Sequence, residues 1–297
     1  LCSDQGGTLM AEFLSYFRQD RLPHIWCPGC GNGTVTGALV RAIDKLGLDK
    51  NNMVIVSGIG CSSRSVGYLD FDTLHTTHGR AIAFATGVKL ANPELKVLVI
   101  TGDGDCAAIG GNHFIHAARR NIDITAIIIN NDTYGMTNGQ ASPMTPRGMF
   151  GTTAPYGNIE YNFDLCELAK AAGATYVARA TTYHYVLLED LIAKAIMHKG
   201  FSVVEALSQC PTYFGRKNKI GGAVETLNWI KDQTINIKAA ASLPQEKREG
   251  KILIGELYKS EKAEFTEQYL ELIGRLQKAN PSYIRNEGEP GCELNSD

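Results

Sequence analysis

Two short polar segments, each following a run of apolar residues, are the first candidates for chemistry. The segment GDGD at 102–105 follows the run at 96–101, and NNDT at 130–133 closes the run at 124–130. A carboxylate, an amide oxygen and a backbone carbonyl are hard oxygen ligands, which suit Mg²⁺ shared with phosphate oxygens. The glycines let the backbone approach phosphates, and a following helix offers N–H groups to an anion. Together the segments predict a magnesium and phosphate site.

Two other interpretations of these segments are possible. Each segment alone could be an ordinary turn after a strand. A dinucleotide site would need the pattern GxGxxG after the first strand, and the segment GIGCSS at 58–63 lacks its last glycine. The interval between the two polar segments fits one helix plus one strand, which would bring them to neighbouring strand ends. This spacing favours the magnesium and phosphate site.

Cysteines supply a second kind of ligand. Cys27 and Cys30 form a C-x-x-C pair, while Cys61 and Cys210 each follow a predicted strand. Four thiolates can bind one [4Fe–4S] cluster or one Zn²⁺, and a lone C-x-x-C could be a thioredoxin-like redox pair. A redox pair would have no need of the other two cysteines, so we expect a four-thiolate site that holds a cluster or zinc.

Other reactive residues have simpler interpretations. Cys106 follows the 102–105 segment and Cys166 lies in a predicted helix, so both are expected to pack in the interior. His113 and His116 are one helical turn apart, but no third metal ligand accompanies them. We therefore expect packing or polar contacts from these two histidines.

The elements that must position these residues alternate between strands and helices. Runs rich in Val and Ile predict buried parallel strands at 53–57, 96–101, 124–130, 176–179 and 202–207. Helical patterns lie between them, at 34–46, 79–90, 111–120, 164–172 and 185–199. This alternation predicts an α/β fold with a doubly wound parallel sheet, in which ligands lie at the carboxyl ends of strands.

Two regions depart from this alternation. The stretch 131–162 has little regular pattern, and a loop of that length inside a domain is usually functional. Apolar residues at 265–276 follow helical spacing, which Pro281 ends. We expect a cofactor-binding domain at 1–225 and a partly helical C-terminal extension at 226–297 that makes subunit contacts.

Composition limits the class of protein. The 297 residues carry a formal net charge of −2, without the basic bias that nucleic-acid binding requires. No apolar run approaches membrane-spanning length, and no secretion signal is evident at the start of the sequence. We expect a cytoplasmic protein that binds neither nucleic acid nor membranes.

Longer motifs resemble those of one known family. They are WCPGCGNG, SGIGCSSR, HTTHGRAIAFATGVKLANP, TGDGDCAAIGGNHFIHAARRN, NNDTYGMTNGQASPMTP and CPT, in this order between about residues 24 and 214. Together they resemble the β subunit of the 2-oxoacid:ferredoxin oxidoreductases, most closely the 2-oxoglutarate members. The GDG and NN segments resemble the thiamine-diphosphate signature.

The resemblance implies three cofactors: thiamine diphosphate, Mg²⁺ and one [4Fe–4S] cluster. Mg²⁺ would be bound by Asp103, Asn131 and the carbonyl of Thr133. The cluster would be bound by Cys27, Cys30, Cys61 and Cys210. The residues expected around thiamine diphosphate are Ile59, Gly60, Cys61, His78, Gly79, Arg80, Gly102, Asp103, Gly104, Asp105, Asn131, Thr133, Gly135, Met136 and Thr137. The candidate catalytic residues are His78, Arg80 and Asn138, although the first two could also be a packed imidazole and a surface cation.

The implied reaction is the oxidative decarboxylation of a 2-oxoacid to an acyl-CoA, with electrons passing through the cluster to ferredoxin. We expect 2-oxoglutarate and succinyl-CoA as substrate and product. Pyruvate or a broad range of 2-oxoacids is the alternative, because Asn138 stands where several broad or 2-oxoglutarate members carry Lys. Arg147 could contact the distal carboxylate of the substrate or be a solvated loop cation.

The same resemblance implies an α subunit, in an α2β2 assembly. That subunit would supply the carboxylate that activates thiamine diphosphate and most contacts to coenzyme A and substrate. Two alternatives from other classes are a zinc-stabilised interaction module without catalysis and a thiamine lyase or synthase. The cluster is favoured over zinc beside thiamine diphosphate, because zinc cannot accept electrons.

Overall fold

The computed structural model describes residues 13–279. Within them the strands are β1 Met53–Ser57, β2 Asp72–His75, β3 Lys96–Gly102, β4 Thr125–Asn130, β5 Thr133–Tyr134, β6 Gln140–Ala141, β7 Tyr176–Thr181, β8 Ser202–Leu207, β9 Thr234–Asn236 and β10 Ile252–Lys259. In the described part of the chain, eight of them form one sheet in the order β2-β1-β3-β4-β8-β7-β10-β9. The pair β5 and β6 forms a separate antiparallel hairpin.

The helices cover both faces of this sheet. Within the same residues they are α1 Asn32–Leu46, α2 Ser65–Tyr68, α3 Ala81–Ala91, α4 Gly111–Arg120, α5 Leu165–Ala172, α6 Tyr185–Met197, α7 Ala223–Gln233, α8 Ile237–Ala240, α9 Gln245–Arg248 and α10 Phe265–Ala279. Helices α1 and α6 pack on one face, and α3, α4 and α5 pack on the other. None of the helices in residues 13–279 is long and apolar enough to cross a membrane.

The central strands are apolar because both of their faces are covered. Every residue of β1, β4 and β7 is buried. Each buried Val or Ile side chain contributes about 1.5–3 kcal/mol by leaving water. Such strands can form only inside a sheet with helices on both sides, which is the predicted doubly wound architecture.

Parallel pairing gathers the loops that carry polar residues. Strands β1, β3, β4 and β8 are neighbours and all run in the same direction. The loops that follow them therefore lie along one edge of the sheet, which we call the carboxyl rim. The opposite edge, where these strands begin, is the amino rim.

The five predicted strands and five predicted helices are confirmed to within a few residues. The predicted doubly wound parallel sheet is confirmed, and one further strand that was not predicted, β10, pairs antiparallel with β7. Strands β2, β9 and β10 and helix α7 gave no recognisable pattern, since each is short, partly exposed or mixed in polarity. The division at residue 225 stays a prediction. Pro281 lies outside the described residues.

Candidate active site

Loops at the carboxyl rim enclose a cavity of about 340 Å³. They follow β1, β2, β3 and β4, and the β5 hairpin closes one side. The residues that line the cavity are Ile59, Gly60, Cys61, Ser62, His78, Gly102, Asp103, Gly104, Asp105, Ile129, Asn131, Thr133, Tyr134, Gly135, Met136 and Thr137. The structure thus brings together most of the residues that were predicted to surround thiamine diphosphate.

The side-chain amide of Asn131 faces two oxygen atoms at this rim. One terminal atom of the Asn131 amide lies 3.3 Å from Asp103 Oδ1 and 2.7 Å from the Thr133 carbonyl oxygen. If that atom is nitrogen, it donates to both oxygens. If it is oxygen, three acceptors face one another without a donor, and only a cation between them would stabilise the arrangement. The donor set therefore fits the predicted magnesium site.

The electrostatics of Asp103 point to the same conclusion. Its side chain is 3% exposed, and the Ser142 hydroxyl donates to Asp103 Oδ2 at 2.5 Å. Burial raises the pKa of Asp103 to about 7, although hydrogen bonds from Ser142 and the Gly104 N–H oppose this rise. A buried carboxylate without a neighbouring positive charge is costly. A divalent cation would supply that charge.

Asp105 joins three loops of the rim. Its Oδ1 accepts hydrogen bonds from the backbone N–H groups of Gly79 at 2.7 Å and Ile59 at 3.3 Å, and its Oδ2 accepts one from the Thr101 hydroxyl at 2.7 Å. His78 Nδ1 lies 2.6 Å from Asp105 Oδ1, but is not aligned as a hydrogen-bond donor. Asp105 was predicted to contact the diphosphate. In the structure its carboxylate holds the loops that shape the cavity.

Gly104 permits a close approach at the cavity wall. A Cβ atom added to Gly104 would lie 2.2 Å from the Tyr134 ring. That position would force the ring away, so only glycine allows the β3 loop and the β5 hairpin to meet. This contact is the physical reason for a glycine directly after Asp103.

The predicted thiols approach one another beside the oxygen ligands. Cys27 is exposed, Cys30 and Cys61 are partly buried, and Cys210 is buried; all four are free thiols. A Cβ added to Gly135 would lie 3.5 Å from Cys61 Sγ, 3.7 Å from Cys210 Sγ and 3.8 Å from Asn131 Nδ2. Gly135 therefore lies between two of the thiols, Cys61 and Cys210, and the side-chain amide of Asn131.

The four thiols are near enough to influence one another. Burial is the largest cause of the raised pKa of Cys61, and Cys30, Cys210 and Cys27 all act to raise that pKa further. Among residues 13–279 no three His, Cys, Asp or Glu side chains are arranged as the ligands of a single metal ion.

Polar groups around the sulfurs are suited to a charged cluster. Asn32 Nδ2 donates to Cys30 Sγ at 3.2 Å, and the backbone N–H groups of Tyr213 and Phe214 point at Cys210. Burial, followed by the charge of neighbouring sulfurs, raises the pKa of Cys61 to about 12. Such thiols give up their protons only when a metal binds them. Hydrogen bonds to sulfur are one means by which proteins set the potential of a cluster.

Four residues expected near cofactor or substrate are absent from the lining of the cavity: Gly79, Arg80, Asn138 and Arg147. Arg80 is exposed at the start of α3, where its guanidinium contacts His113. Asn138 is exposed, and its Oδ1 accepts a hydrogen bond from Tyr213 at 2.8 Å. Arg147 stacks on the ring of Tyr161, 4.7 Å from the ring centroid. Their proposed roles in catalysis or substrate binding stay predictions.

Sequence reasoning missed two residues at the site. Ser142 lies in the irregular loop 131–162, which gave no signal that its hydroxyl would reach Asp103. Tyr134 forms one wall of the cavity and packs its ring against His78 at 6.1 Å. Their position in a segment that directly follows predicted ligands was the one available indication.

A second cavity of about 350 Å³ lies beside the same rim, between β8, α5 and α7. Its wall contains a buried ion pair, in which Arg179 Nε lies 2.6 Å from Glu205 Oε2. Asp164 and Asn130 complete the hydrogen bonds of this pair. The charges of this pair are thus satisfied within the chain. Asp132 also lines the cavity, and burial, followed by the charges of Asp103 and Glu205, raises the pKa of its carboxyl well above its usual value.

The sequence is similar to that of known thiamine-dependent proteins. Residues 58–206 match the family described as "Thiamine pyrophosphate enzyme, C-terminal TPP binding domain". A relative in Methanothermobacter marburgensis, "2-oxoglutarate synthase subunit KorB", is 55% identical over 261 residues, which cover 88% of this chain and 92% of the relative. The protein of the same name in Methanocaldococcus jannaschii is 55% identical, with 90% and 99% coverage.

A solved structure extends this similarity to three dimensions. It is described as "2-oxoglutarate:ferredoxin oxidoreductase from Magnetococcus marinus with 2-oxoglutarate, coenzyme A and succinyl-CoA bound". The TM-score is 0.79 at 32% sequence identity, and the alignment covers 91% of this chain and 95% of the other. The shared fold includes the sheet whose carboxyl rim carries the cavity described above.

Proposed function

The chain belongs to the β subunits of the 2-oxoacid:ferredoxin oxidoreductases, and on this premise we propose that it forms the thiamine-diphosphate half of a 2-oxoglutarate:ferredoxin oxidoreductase. The reaction converts 2-oxoglutarate and coenzyme A into succinyl-CoA and CO₂, and reduces ferredoxin. The names of the relatives and the ligands in the Magnetococcus marinus structure support this substrate and product. The single observation that carries the proposal is the position of Gly135. It lies against the thiols of Cys61 and Cys210 on one side and against the Asn131 amide, beside Asp103 and Thr133, on the other.

Asp103, Asn131 and Thr133 would hold Mg²⁺, and through it the diphosphate of the cofactor. Their three oxygens supply hard ligands, and Ser142 orients the Asp103 carboxylate by its hydrogen bond at 2.5 Å. Thiamine diphosphate supplies the electron sink that allows a 2-oxoacid to lose CO₂. The contribution of this chain is to fix the position of the cofactor and to exclude water from one side of it.

Cys27, Cys30, Cys61 and Cys210 would hold a [4Fe–4S] cluster next to the cofactor. A cluster is favoured over zinc because it can accept electrons from the cofactor, which zinc cannot, and hydrogen bonds to Cys30 and Cys210 would help to set its potential. The short path from Asn131 past Gly135 to two of the sulfurs provides a direct route for electrons to leave the cofactor.

The cavity lacks a carboxylate that could activate thiamine diphosphate. Asp103 and Asp105 are the carboxylates among its lining residues, and both are engaged, the first as a proposed metal ligand and the second in holding loops. Among residues 13–279 no other carboxylate lines the cavity. We assign the activating carboxylate to an α subunit that covers the cavity, and we propose an α2β2 assembly.

Recognition of the distal carboxylate of 2-oxoglutarate is also assigned to the α subunit. Arg147 is the one cation in the loop 131–162, and it is stacked on Tyr161 away from the cavity. Asn138 carries no charge. A substrate with a second carboxylate needs a cation at its far end, and residues 13–279 place neither Lys nor Arg in the lining of the cavity.

The test is an anaerobic assay of the purified complex of this chain with its α subunit. We expect reduction of ferredoxin that depends on coenzyme A, with 2-oxoglutarate preferred to pyruvate and to branched 2-oxoacids by at least about tenfold, which corresponds to 1.4 kcal/mol. Equal or faster reduction with pyruvate would contradict the proposed substrate. No reduction with any 2-oxoacid by a complex that contains thiamine diphosphate and iron would contradict the reaction itself.

A further inference from the structure

Three exposed cations follow the last thiol. Arg216, Lys217 and Lys219 lie in the loop after the π-helical turn Pro211–Gly215, and none of them forms an ion pair within residues 13–279. The segment 211–225 contains one acidic residue, Glu225, whose carboxylate accepts a hydrogen bond from the Gly222 N–H at 2.9 Å. The loop therefore presents a local excess of positive charge.

This loop is held in a fixed position. The Phe150 N–H donates to Asn218 Oδ1 at 2.7 Å, and Asn218 Nδ2 donates to the Phe150 carbonyl at 3.2 Å. Asn218 Nδ2 also donates to the Phe214 carbonyl at 3.0 Å. Unpaired cations repel one another, so the fixed position of these three does not stabilise the fold of the chain itself. Such an arrangement is typical of a surface that meets an anionic partner.

The loop lies against the turn that carries the exposed thiol. A Cβ added to Gly29 would lie 2.1 Å from Ala223 Cβ and 3.8 Å from Pro211 Cγ. Pro211 lies five residues before Arg216 and Ala223 lies four residues after Lys219, so the segment that carries the three cations begins and ends beside the C-x-x-C turn. Cys27, in that turn, is the exposed member of the four thiols. Any group bound by these thiols therefore comes nearest to solvent at Cys27.

Apolar side chains complete the surface. Ile25, two residues before Cys27, is 67% exposed, and Val224, next to Ala223, is 66% exposed. Protein interfaces commonly combine an apolar centre with a charged rim. We use the term basic face for Ile25, Cys27, Val224, Arg216, Lys217 and Lys219.

We propose that the basic face is the docking surface for an acidic one-electron carrier protein of the ferredoxin type. The inference rests on the proposed function, because it requires a redox group at the four thiols. Positive charge steers an acidic carrier toward the exposed thiol, and the apolar residues allow close approach once it arrives. Each encounter moves one electron from the thiol-bound group to the oxidised carrier, and no bond forms or breaks.

The test measures binding of oxidised ferredoxin to the holoenzyme with its α subunit, by calorimetry at several salt concentrations. We expect the Arg216→Glu/Lys217→Glu/Lys219→Glu variant to bind at least about tenfold more weakly at low salt and to lose most of the salt dependence. The matched control is Lys45→Glu/Lys259→Glu/Lys262→Glu, which changes the net charge equally at the amino rim. Its affinity should fall less than about threefold.

Reduction of a small neutral acceptor, such as metronidazole, separates docking from catalysis. Both triple variants should reduce it at the wild-type rate. A basic-face variant that binds ferredoxin as tightly as wild type, or no more weakly than the control, would overturn the docking surface while the proposed function stands. Failure of that variant to co-purify with the α subunit would also overturn it, because the loop would then be a subunit contact. A wild-type complex that reduces neither acceptor would overturn the proposed function together with the docking surface.

Discussion

Two buried aspartates lie at opposite rims of one sheet and differ in their electrostatics. Asp103, at the carboxyl rim, has a pKa that burial raises to about 7. Asp123, at the amino rim, has Lys89 Nζ 2.8 Å from its Oδ2, and Lys89 is 2% exposed. Burial also acts to raise the pKa of Asp123, but the hydrogen bond and charge of Lys89 outweigh it and keep that pKa below its usual value. Asp123 thus has a lysine as its ion-pair partner, whereas Asp103 has no such partner among residues 13–279.

This difference separates the functional edge of the fold from the structural edge. The amino rim satisfies its charges internally, with Lys89 and the Gly200 N–H both bonded to Asp123. At the carboxyl rim, Asp103 is buried without an ion-pair partner among residues 13–279, and four free thiols lie nearby. A fold tolerates such groups where a ligand completes them. Substitutions at the carboxyl rim should therefore impair binding, and those at the amino rim should impair stability.

The largest effect is expected from Asp103→Ala. Removal of the central oxygen ligand should weaken binding of Mg²⁺ and thiamine diphosphate by more than about 100-fold. The free energy of unfolding of the metal-free protein should stay the same or rise, because the unpaired buried carboxyl is gone. Calorimetric titration with thiamine diphosphate and urea denaturation measure the two quantities. Retained stoichiometric thiamine diphosphate in this variant would remove Asp103 from the metal site.

The second largest effect is expected from loss of one of the four thiols. Cys210→Ser should lower the iron content from about four atoms per chain and abolish the absorption of a [4Fe–4S] cluster. Cys106→Ala is the matched control, because Cys106 is also buried beside the β3 loop but lies in the apolar core. Iron and sulfide analysis of anaerobically purified complexes makes the comparison. Full iron content in Cys210→Ser, or equal loss in Cys106→Ala, would argue against the predicted ligands.

At the amino rim, Lys89→Met should destabilise the fold without affecting the cofactor. Loss of one partner of a buried pair costs about 3–5 kcal/mol, because the remaining charge has no counter-charge. Lys199 Nζ, 3.7 Å from Asp123 Oδ2, compensates in part. Urea denaturation gives the free energy of unfolding, and Lys89→Met/Asp123→Leu should recover part of it. A loss of less than about 1 kcal/mol would show that the pair is not a main support of this rim.

The smallest effect is a dependence on pH. A carboxyl group whose pKa is lower in the folded state stabilises the fold above its unfolded pKa of about 3.9, and that stabilisation is lost as pH falls through the folded pKa. The difference in free energy of unfolding between wild type and Asp123→Asn should therefore be constant above about pH 5 and shrink below about pH 4. Urea titrations across this range would show it. A difference that grows as pH falls would contradict the lowered pKa of Asp123.

Much of the carboxyl rim could be predicted from the sequence because its residues follow buried strands. Asp103 and Asn131 come directly after β3 and β4, so parallel pairing alone brings them to one edge. Cys61 and Cys210 meet for the same reason, since each follows a strand of that sheet. The apolar runs decide where those strands end, and nothing further is needed to place these residues.

The other features of the site and the fold could not be predicted, because they depend on the directions of side chains and on the course of an irregular loop. Ser142 reaches Asp103 only through the course of the chain after β4, which no periodic pattern describes. Arg80 was expected at the cofactor, yet its side chain meets His113 on the next helix. Strand β10 runs antiparallel to β7 and parallel to β9, and the sequence before it gives no indication of that direction.

X-ray diffraction from crystals of the anaerobic complex, grown with Mg²⁺ and thiamine diphosphate and measured at the iron absorption edge, tests the central claim most directly. The prediction is four resolved iron peaks bonded to Cys27, Cys30, Cys61 and Cys210, with Mg²⁺ bonded to Asp103, Asn131 and Thr133 beside them. A single zinc peak at the thiols, or a diphosphate bound away from the three oxygens, would contradict it.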